Sequence, residues 1–506
     1  MSDLSRRSLL LGLLAAGSLP ALALANPRPK ARPATDGGTA AAAPARAATP
    51  LDPEALIAKA KLGAVVAYAA LDPATGRLID AREPDLPLAP ASTLKAVTAL
   101  YALARLGPDH RYRTRVIRAG DLLILAGGGD PELDTDGLGT LAKAAAAAEK
   151  AAGRPAPRRF AVWGGALPHV SEISPGQAVH LAYNPTISGI ILNFNRVHLG
   201  WKRSDKGYTL AMEARGSRLS PPSYTISATV ADRAQPIFTY SAAEGRENWT
   251  VAKSAMGKDG SRWLPVRNPE LYAADVFQTL CRAEGLNLPA AEIITDLPPG
   301  EEIASRSSAP LQELLVRMME YSNNLTAEIV GLSASRQPSL RTSAAEMESW
   351  LRGQGISGPF SFRDHSGLAP DNRVTARMMA EMAAGPGRAQ GLQVLMKHIA
   401  LRDAEGKPVK ASPVRVDAKT GTLNFVSNLA GYAQQGAGPQ ICFAILTGDE
   451  SRRAATEGRE RPEGVLNWTR RSKALQQGLI EHWLAGAGRT APGSAPISEQ
   501  AVAGAG

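Results

Sequence analysis

Three short motifs in fixed order constrain this chain most: Ser92-Thr93-Leu94-Lys95, Ser322-Asn323-Asn324 and Lys419-Thr420-Gly421-Thr422. A fold that uses them together must carry residues from the early, middle and late chain to one place. The first supplies a serine nucleophile with an amine one helical turn away. The last supplies a lysine, two hydroxyls and a glycine that lets a substrate strand approach the backbone. Such a set serves acyl transfer through a covalent serine intermediate.

Context strengthens the first motif, since roughly one S-x-x-K match arises by chance in a chain of this length. From Ala91 to Ala104 the sequence is apolar almost all round, and Lys95 is its only charged residue. A helix of that pattern is buried, and an unpaired buried ammonium is costly. Spacing i to i+3 puts Ser92 and Lys95 on one face. Desolvation near a second cation depresses a lysine pKa and makes the amine a base. The plainer alternative, a lysine that only snorkels to the surface, leaves the other two motifs without a purpose.

Ser322-Asn323-Asn324 ends a helix whose Leu311, Leu314, Leu315, Met318 and Met319 mark a core face. A polar triplet there is ordinarily a cap or turn, and Tyr321-Ser322-Asn323 also reads as Y-x-N. We prefer S-x-N, with Ser322 as a proton relay and Asn324 as an amide ligand. Lys419-Thr420-Gly421-Thr422 falls in a late strand, where an isolated lysine commonly guards a sheet edge. Asp364-His365-Ser366 has triad residue types, but adjacent positions rarely converge, and no G-x-S-x-G elbow is present. Glu463-Gly464-Val465-Leu466-Asn467 matches the E-x-x-L-N of class A β-lactamases, yet it follows the lysine-threonine-glycine motif instead of preceding it.

The ends read as an address and a tail. Residues 1–25 carry Ser5-Arg6-Arg7-Ser8-Leu9-Leu10, an apolar run from Leu9 to Leu24 broken by Gly12, Gly17 and Pro20, and the small-residue site Ala23-Leu24-Ala25. This is a twin-arginine signal peptide pattern, too interrupted for a membrane span. Residues 26–50 lack Val, Ile, Leu and aromatic side chains, so a disordered linker is expected. A flexible tail is expected over 485–506. The formal charge of +10 is carried in part by Arg6, Arg7, Arg28, Lys30, Arg32 and Arg46 in these segments. The densest basic stretch, Arg452 to Arg461, is interleaved with Glu457 and Glu460, so nucleic acid is not an expected partner. The seven histidines show no metal spacing, and no metal or cofactor is implied. Cys281 and Cys442 sit in apolar patterns, where an unpaired thiol serves as a small hydrophobe.

A coarse pass places strands at Gly63–Leu71 and Arg77–Ala81 around an Asp72-Pro73-Ala74-Thr75-Gly76 turn, and a helix from Ser92. Mostly short strands follow between Gly107 and Arg267. Helices are expected from Pro269 to Leu280 and from Pro310 to Tyr321. Late strands cover Val414–Asp417, Asn428–Ala433 and Ile441–Leu446. A last helix from Trp468 keeps Leu475, Leu479, Trp483 and Leu484 on one stripe.

Further matches accompany the three motifs: Gly127-Gly128-Gly129-Asp130-Pro131, Tyr183-Asn184-Pro185 with Asn193-Phe194-Asn195, and Asp364-His365-Ser366-Gly367-Leu368 running to Asp371-Asn372-Arg373-Val374-Thr375-Ala376. With these the chain resembles the penicillin-binding protein 4 type of D-alanyl-D-alanine carboxypeptidase/endopeptidase, a class C low-molecular-mass penicillin-binding protein, over essentially all of Leu51–Leu484. His365 departs from the pattern, which usually has a small residue there. The resemblance implies an α/β (α+β) serine penicillin-recognising fold: an antiparallel sheet with helices on both faces, plus strand-rich inserted domain(s). The expected division is a catalytic domain from 51–106 and 266–484, with the insertion at 107–265.

The implied activity is that of a periplasmic serine carboxypeptidase, with endopeptidase action also open, on peptidoglycan stem peptides; β-lactam antibiotics are the implied covalent inhibitors. In it Lys95 deprotonates Ser92, Ser322 relays a proton to the leaving amine and Asn324 steadies the substrate amide. Lys419, Thr420 and Thr422 hold the terminal carboxylate, Gly421 admits the substrate strand, and the N–H groups of Ser92 and Thr422 form an oxyanion hole. The alternatives are a β-lactamase-like hydrolase, disfavoured by the misplaced Glu463 and the long insertion, and a non-catalytic peptidoglycan-binding relative, disfavoured by intact Ser92, Lys95 and Lys419. Nothing in the sequence signals an oligomeric state.

Overall fold

The computed structural model describes residues 51–487, so the expected signal peptide, linker and nearly all of the tail lie outside the described residues. At its centre is a six-stranded antiparallel sheet. Its spatial order is Lys397–His398, Val414–Leu423, Val426–Gln435, Gln440–Gly448, Val65–Leu71 and Leu78–Arg82. The first hairpin of the chain therefore closes onto the last meander, with Val65 opposite Gly448 and Leu71 opposite Cys442. This pairing brings the early motif within reach of the late one.

The strand Val65–Leu71 reads VVAYAAL because both its faces are covered, which replaces polar alternation by a continuous apolar run. Val66, Tyr68 and Ala70 pack with Trp468, Leu475, Leu479 and Trp483 of the final helix, Val465–Ala487. Ala67, Ala69 and Leu71 face the opposite cluster, built on helices Lys95–Leu106, Leu311–Tyr321, Asn324–Ser335, Leu340–Gly353 and Ala376–Met382. The fold is thus a mixed α/β sheet with helices on both faces, as expected. The helix that carries the first motif enters differently from the expectation. Residues Ala91–Leu94 form a 3₁₀ turn, and the α-helix proper begins at Lys95.

A second core lies between Leu106 and Leu311. A five-stranded sheet has the order Ala291–Ile294, Arg159–Trp163, Leu122–Ala126, Arg113–Ala119 and Glu301–Ser307, and two three-stranded sheets accompany it. The short strands expected here are joined by one helix the sequence reading lacked, Thr135–Ala151, which the Asp134 carboxylate caps by accepting from Gly137 N at 2.7 Å. Residues beyond 266 also belong to this core by their contacts. Helix Pro269–Ala283 packs through Tyr272, Val276 and Phe277, Phe277 stacks on Phe160 at 5.9 Å, and Glu301–Ser307 pairs with Arg113–Ala119. We propose that the inserted unit runs to about Ser307, beyond the expected boundary at 265. Cys281 and Cys442 are buried, unpaired and in different cores.

Candidate active site

Ser92 follows a turn held from three sides. Ala91 is fully buried with φ +46°, a left-handed conformation that costs a non-glycine residue roughly 1 kcal/mol. The Asn428 side-chain amide donates to the carbonyls of Ala89 (2.8 Å) and Pro90 (3.0 Å). Gly421 and Gly367 leave room for the same turn: a Cβ on Gly421 would meet the Pro90 oxygen at 2.6 Å, and one on Gly367 the Ala91 oxygen at 1.8 Å. The glycine of the late motif is therefore also a packing requirement of the turn before Ser92.

Lys95 is 0 % exposed. Its Nζ lies 2.9 Å from Ser92 Oγ, 2.7 Å from Asn324 Oδ1 and 2.8 Å from the Ser366 carbonyl oxygen. An ammonium donates to all three. A neutral amine keeps its two hydrogens for Asn324 and Ser366, which can only accept there, and turns its lone pair to the Ser92 hydroxyl. The site thus accommodates both charge states. Burial pulls Lys95 down to about 7, against the opposing pull of the Glu328 and Asp364 carboxylates.

Those two acids build the floor. Glu328 on helix Asn324–Ser335 is 0 % exposed, and its carboxylate accepts the backbone N–H of His365 and of Ser366, each at 2.9 Å. Asp364 accepts from Gly367 N (2.8 Å), Ala369 N (2.6 Å) and Asn372 Nδ2 (2.8 Å). Burial first, then Asp364 nearby, pushes the Glu328 carboxyl up to about 8. Burial also raises Asp364. The loop 364–369 is therefore folded around two carboxylates, and its Ser366 carbonyl is aimed at Lys95. The ring of His365 turns away from Ser366, with Nε2 2.6 Å from Ser343 Oγ and Nδ1 3.4 Å from Met347 Sδ. A Cβ at Gly331 would stand 2.2 Å from that ring, so the unusual histidine is matched by a glycine that makes room for it.

Ser322 and Asn323 do the work of a cap as well. Ser322 closes helix Leu311–Tyr321 with φ +57°, and Asn323 accepts Thr326 N at 2.9 Å to start the next helix. The side chains of Ser322 and Asn324 point at the two lysines. Lys419 Nζ donates to Ser322 Oγ at 2.9 Å and to its neighbour's carbonyl, Thr420 O, at 3.0 Å, while Asn324 faces Lys95. Tyr321 is 73 % exposed, which favours the S-x-N register over Y-x-N. Burial, then the Lys95 and Lys397 charges, holds Lys419 well below the ordinary lysine range. Lys397–His398 pairs only with Ala418 and Asp417. Beyond Ala418 the strand therefore has no sheet partner on that side among the described residues, and it lies against the Ala91–Leu94 turn. Thr420 is half-buried, Gly421 buried and Thr422 exposed.

The structure joins Ser92, Lys95 and Asn324 in one hydrogen-bonded group, pairs Ser322 with Lys419 in a second, and packs Gly421 against the turn before Ser92. Sequence reading overlooked Glu328, Asn428 and the Ser366 carbonyl. Glu328 carried a signal, because it is the only charged residue in an apolar helix, as Lys95 is in its own. Asn428 and a backbone carbonyl carried none.

A half-buried serine paired with a buried lysine beside a lysine-bearing sheet edge, set in a helix-flanked antiparallel sheet, defines the penicillin-recognising class of serine hydrolases. The sequence profile of the D-Ala-D-Ala carboxypeptidase 3 (S13) family matches residues 52–471, and the chain belongs to that family. It is 26 % identical over 460 residues to the D-alanyl-D-alanine carboxypeptidase of Actinomadura sp. strain R39, covering 80 % of this chain and 84 % of that protein. It is 27 % identical over 458 residues to a carboxypeptidase of Mycobacterium tuberculosis, covering 84 % and 86 %. In fold it is similar to penicillin-binding protein 4 of Haemophilus influenzae, with TM-score 0.67, 18 % identity, and coverage of 86 % of this chain and 99 % of that one.

Proposed function

We propose that this protein is a serine D-alanyl-D-alanine carboxypeptidase, with D,D-endopeptidase activity in the same site, acting on peptidoglycan stem peptides. Family membership and the two carboxypeptidase relatives support the substrate class. The observation that carries the reading is Lys95, fully buried yet 2.9 Å from the Ser92 hydroxyl, with its pKa pulled to about 7. Neutral Lys95 takes the Ser92 proton as Ser92 Oγ attacks the carbonyl of the penultimate D-alanine. The N–H groups of Ser92 and Thr422 receive the oxyanion. Ser322, hydrogen-bonded to Lys419, relays the proton that Lys95 accepted to the departing amine, so Lys95 returns to its neutral form as D-alanine leaves. Water then hydrolyses the ester and restores Ser92. Lys419, Thr420 and Thr422 hold the substrate carboxylate while Asn324 steadies its amide. Penicillins present the same acyl chemistry and remain as slow esters; the Haemophilus influenzae relative is also known in complex with a β-lactam.

The substrate polymer places the work outside the cytoplasm. Arg6 and Arg7 support delivery to the periplasm by the twin-arginine route, and replacing both by lysine leaves the precursor inside the cell if a receptor reads the pair. Incubation of the purified protein with isolated peptidoglycan tests the function: released D-alanine and shortened stems support it, and unchanged muropeptides refute it.

A further inference from the structure

The loop 170–187 of the inserted unit reaches the active site. An antiparallel bridge closes its base, Val170 N donating to Ile187 O at 3.0 Å and Ile187 N to Val170 O at 2.8 Å. On its returning limb the Tyr183 carbonyl accepts from Asn324 Nδ2 at 3.0 Å. The other end of the same amide, Oδ1, accepts from Lys95 at 2.7 Å. A lysine amine held in this network donates to Oδ1, and a carbonyl can only accept, so these two contacts fix the Asn324 amide in one orientation. Turned over, it would set N–H against N–H and oxygen against oxygen. One N–H of Nδ2 remains for a substrate amide.

The loop is itself clamped by one side chain. Arg267 Nη1 donates to Ser171 O (3.1 Å) and Asn184 O (2.9 Å), and Nη2 donates to Val179 O (3.0 Å). A planar guanidinium offers donors in a fixed fork, and here it spans three carbonyls of one loop. Among the described residues Arg267 makes no ion pair within 4.0 Å. Burial lowers its pKa, opposed by the charges of Glu172 and Glu247. Asn184, buried, adds a side-chain bond to Ser174 N at 2.9 Å and one to Ser174 O at 3.0 Å. The carbonyl of Asn184, which Arg267 holds, directly follows that of Tyr183.

We infer that Arg267 is a positioning residue for the reaction: by clamping loop 170–187 it sets the Tyr183 carbonyl, which orients the Asn324 amide toward Lys95. The inserted unit then completes the active site instead of hanging beside it. This rests on the roles proposed above for Lys95 and Asn324. A displaced Tyr183 carbonyl would free the amide to rotate, and misorientation of a group touching the base slows the chemistry far more than it loosens the fold.

The test is a double-mutant cycle on the full-length protein, read as the acylation rate by a labelled penicillin alongside the melting temperature. Arg267→Ala is expected to slow acylation about tenfold or more, and Arg267→Lys by less. In an Asn324→Ala background the same substitutions are expected to cost less than about twofold, because the group they act through is gone. Equal losses in both backgrounds, or wild-type acylation by folded Arg267→Ala, overturn the inference. If Arg267→Ala fails to fold, Arg267→Lys carries the cycle with the same criteria. A wild-type protein that is never acylated instead refutes the proposed function, and the inference falls with it.

Discussion

Lys95 Nζ lies 2.8 Å from the carbonyl oxygen of Ser366, and the amide of Ser366 is in turn held 2.9 Å from the Glu328 carboxylate. A buried acid is thereby linked to the proposed base, Lys95, through a single residue of main chain. Glu328→Gln keeps the shape but sets an –NH₂ against one of two backbone N–H groups. The loop shifts, and acylation is expected to fall on the order of 10²-fold, the scale of a small misplacement at a reacting group. An unchanged rate in a folded variant would leave Glu328 with no part in catalysis.

Acylation by the wild type should rise with pH through about 7. Burial pulls Lys95 down to that value, and only the neutral amine accepts the Ser92 proton. Lys419, itself depressed by burial and neighbouring cations, holds a carboxylate only while charged, so its deprotonation lowers the rate. A stopped-flow profile with labelled penicillin checks both limbs; a rate independent of pH from 5 to 9 would contradict the assignment.

Replacing Lys95 by Arg is expected to be as damaging as Lys95→Ala. Guanidinium stays protonated and cannot serve as base, and a general base commonly contributes on the order of 10²- to 10⁴-fold. Ser92→Ala with Lys95→Ala should be little worse than either alone, since groups acting as one unit are not additive. Lys419→Ala leaves Ser92 and Lys95 in place. It should raise KM for a D-alanine-terminated peptide by roughly tenfold or more, through loss of a charged hydrogen bond of about 1.5–3 kcal/mol.

His365 gives a stability prediction. Burial pulls its pKa down to about 3. The unfolded chain takes up the proton near pH 6.5 and the folded one does not, so stability is held above 6.5 and lost as pH falls below it. The loss approaches about 1.4 kcal/mol per pH unit. Glu328 and Asp364, raised in the fold, work in the opposite sense. The difference between wild type and His365→Gln isolates the histidine: the variant should lose stability less steeply between pH 6 and 4 in urea titrations. Parallel curves would show that His365 is not buried neutral.

Much of the site was legible because its parts violate local rules. A lone lysine in an apolar helix is such a violation, and so is a polar triplet interrupting two helices. Glu328 broke the same rule, in a helix that reads NLTAEIVGLSAS, and could have been found by the same reasoning. The Ser366 carbonyl and Asn428 could not, since only tertiary geometry aims them. The helix Thr135–Ala151 was hidden by its surroundings, an alanine run among strand signals. The pairing of Glu301–Ser307 with Arg113–Ala119 leaves no local trace, because a long-range register depends on the fold as a whole.

The central claim, that Ser92 is acylated because Lys95 activates it, is tested most directly by intact and peptide mass spectrometry after exposure to penicillin G. The account predicts one penicilloyl group per chain, mapped to Ser92, absent from Ser92→Ala and nearly absent from Lys95→Arg. An adduct on any other residue, or one that persists in Ser92→Ala, would contradict it.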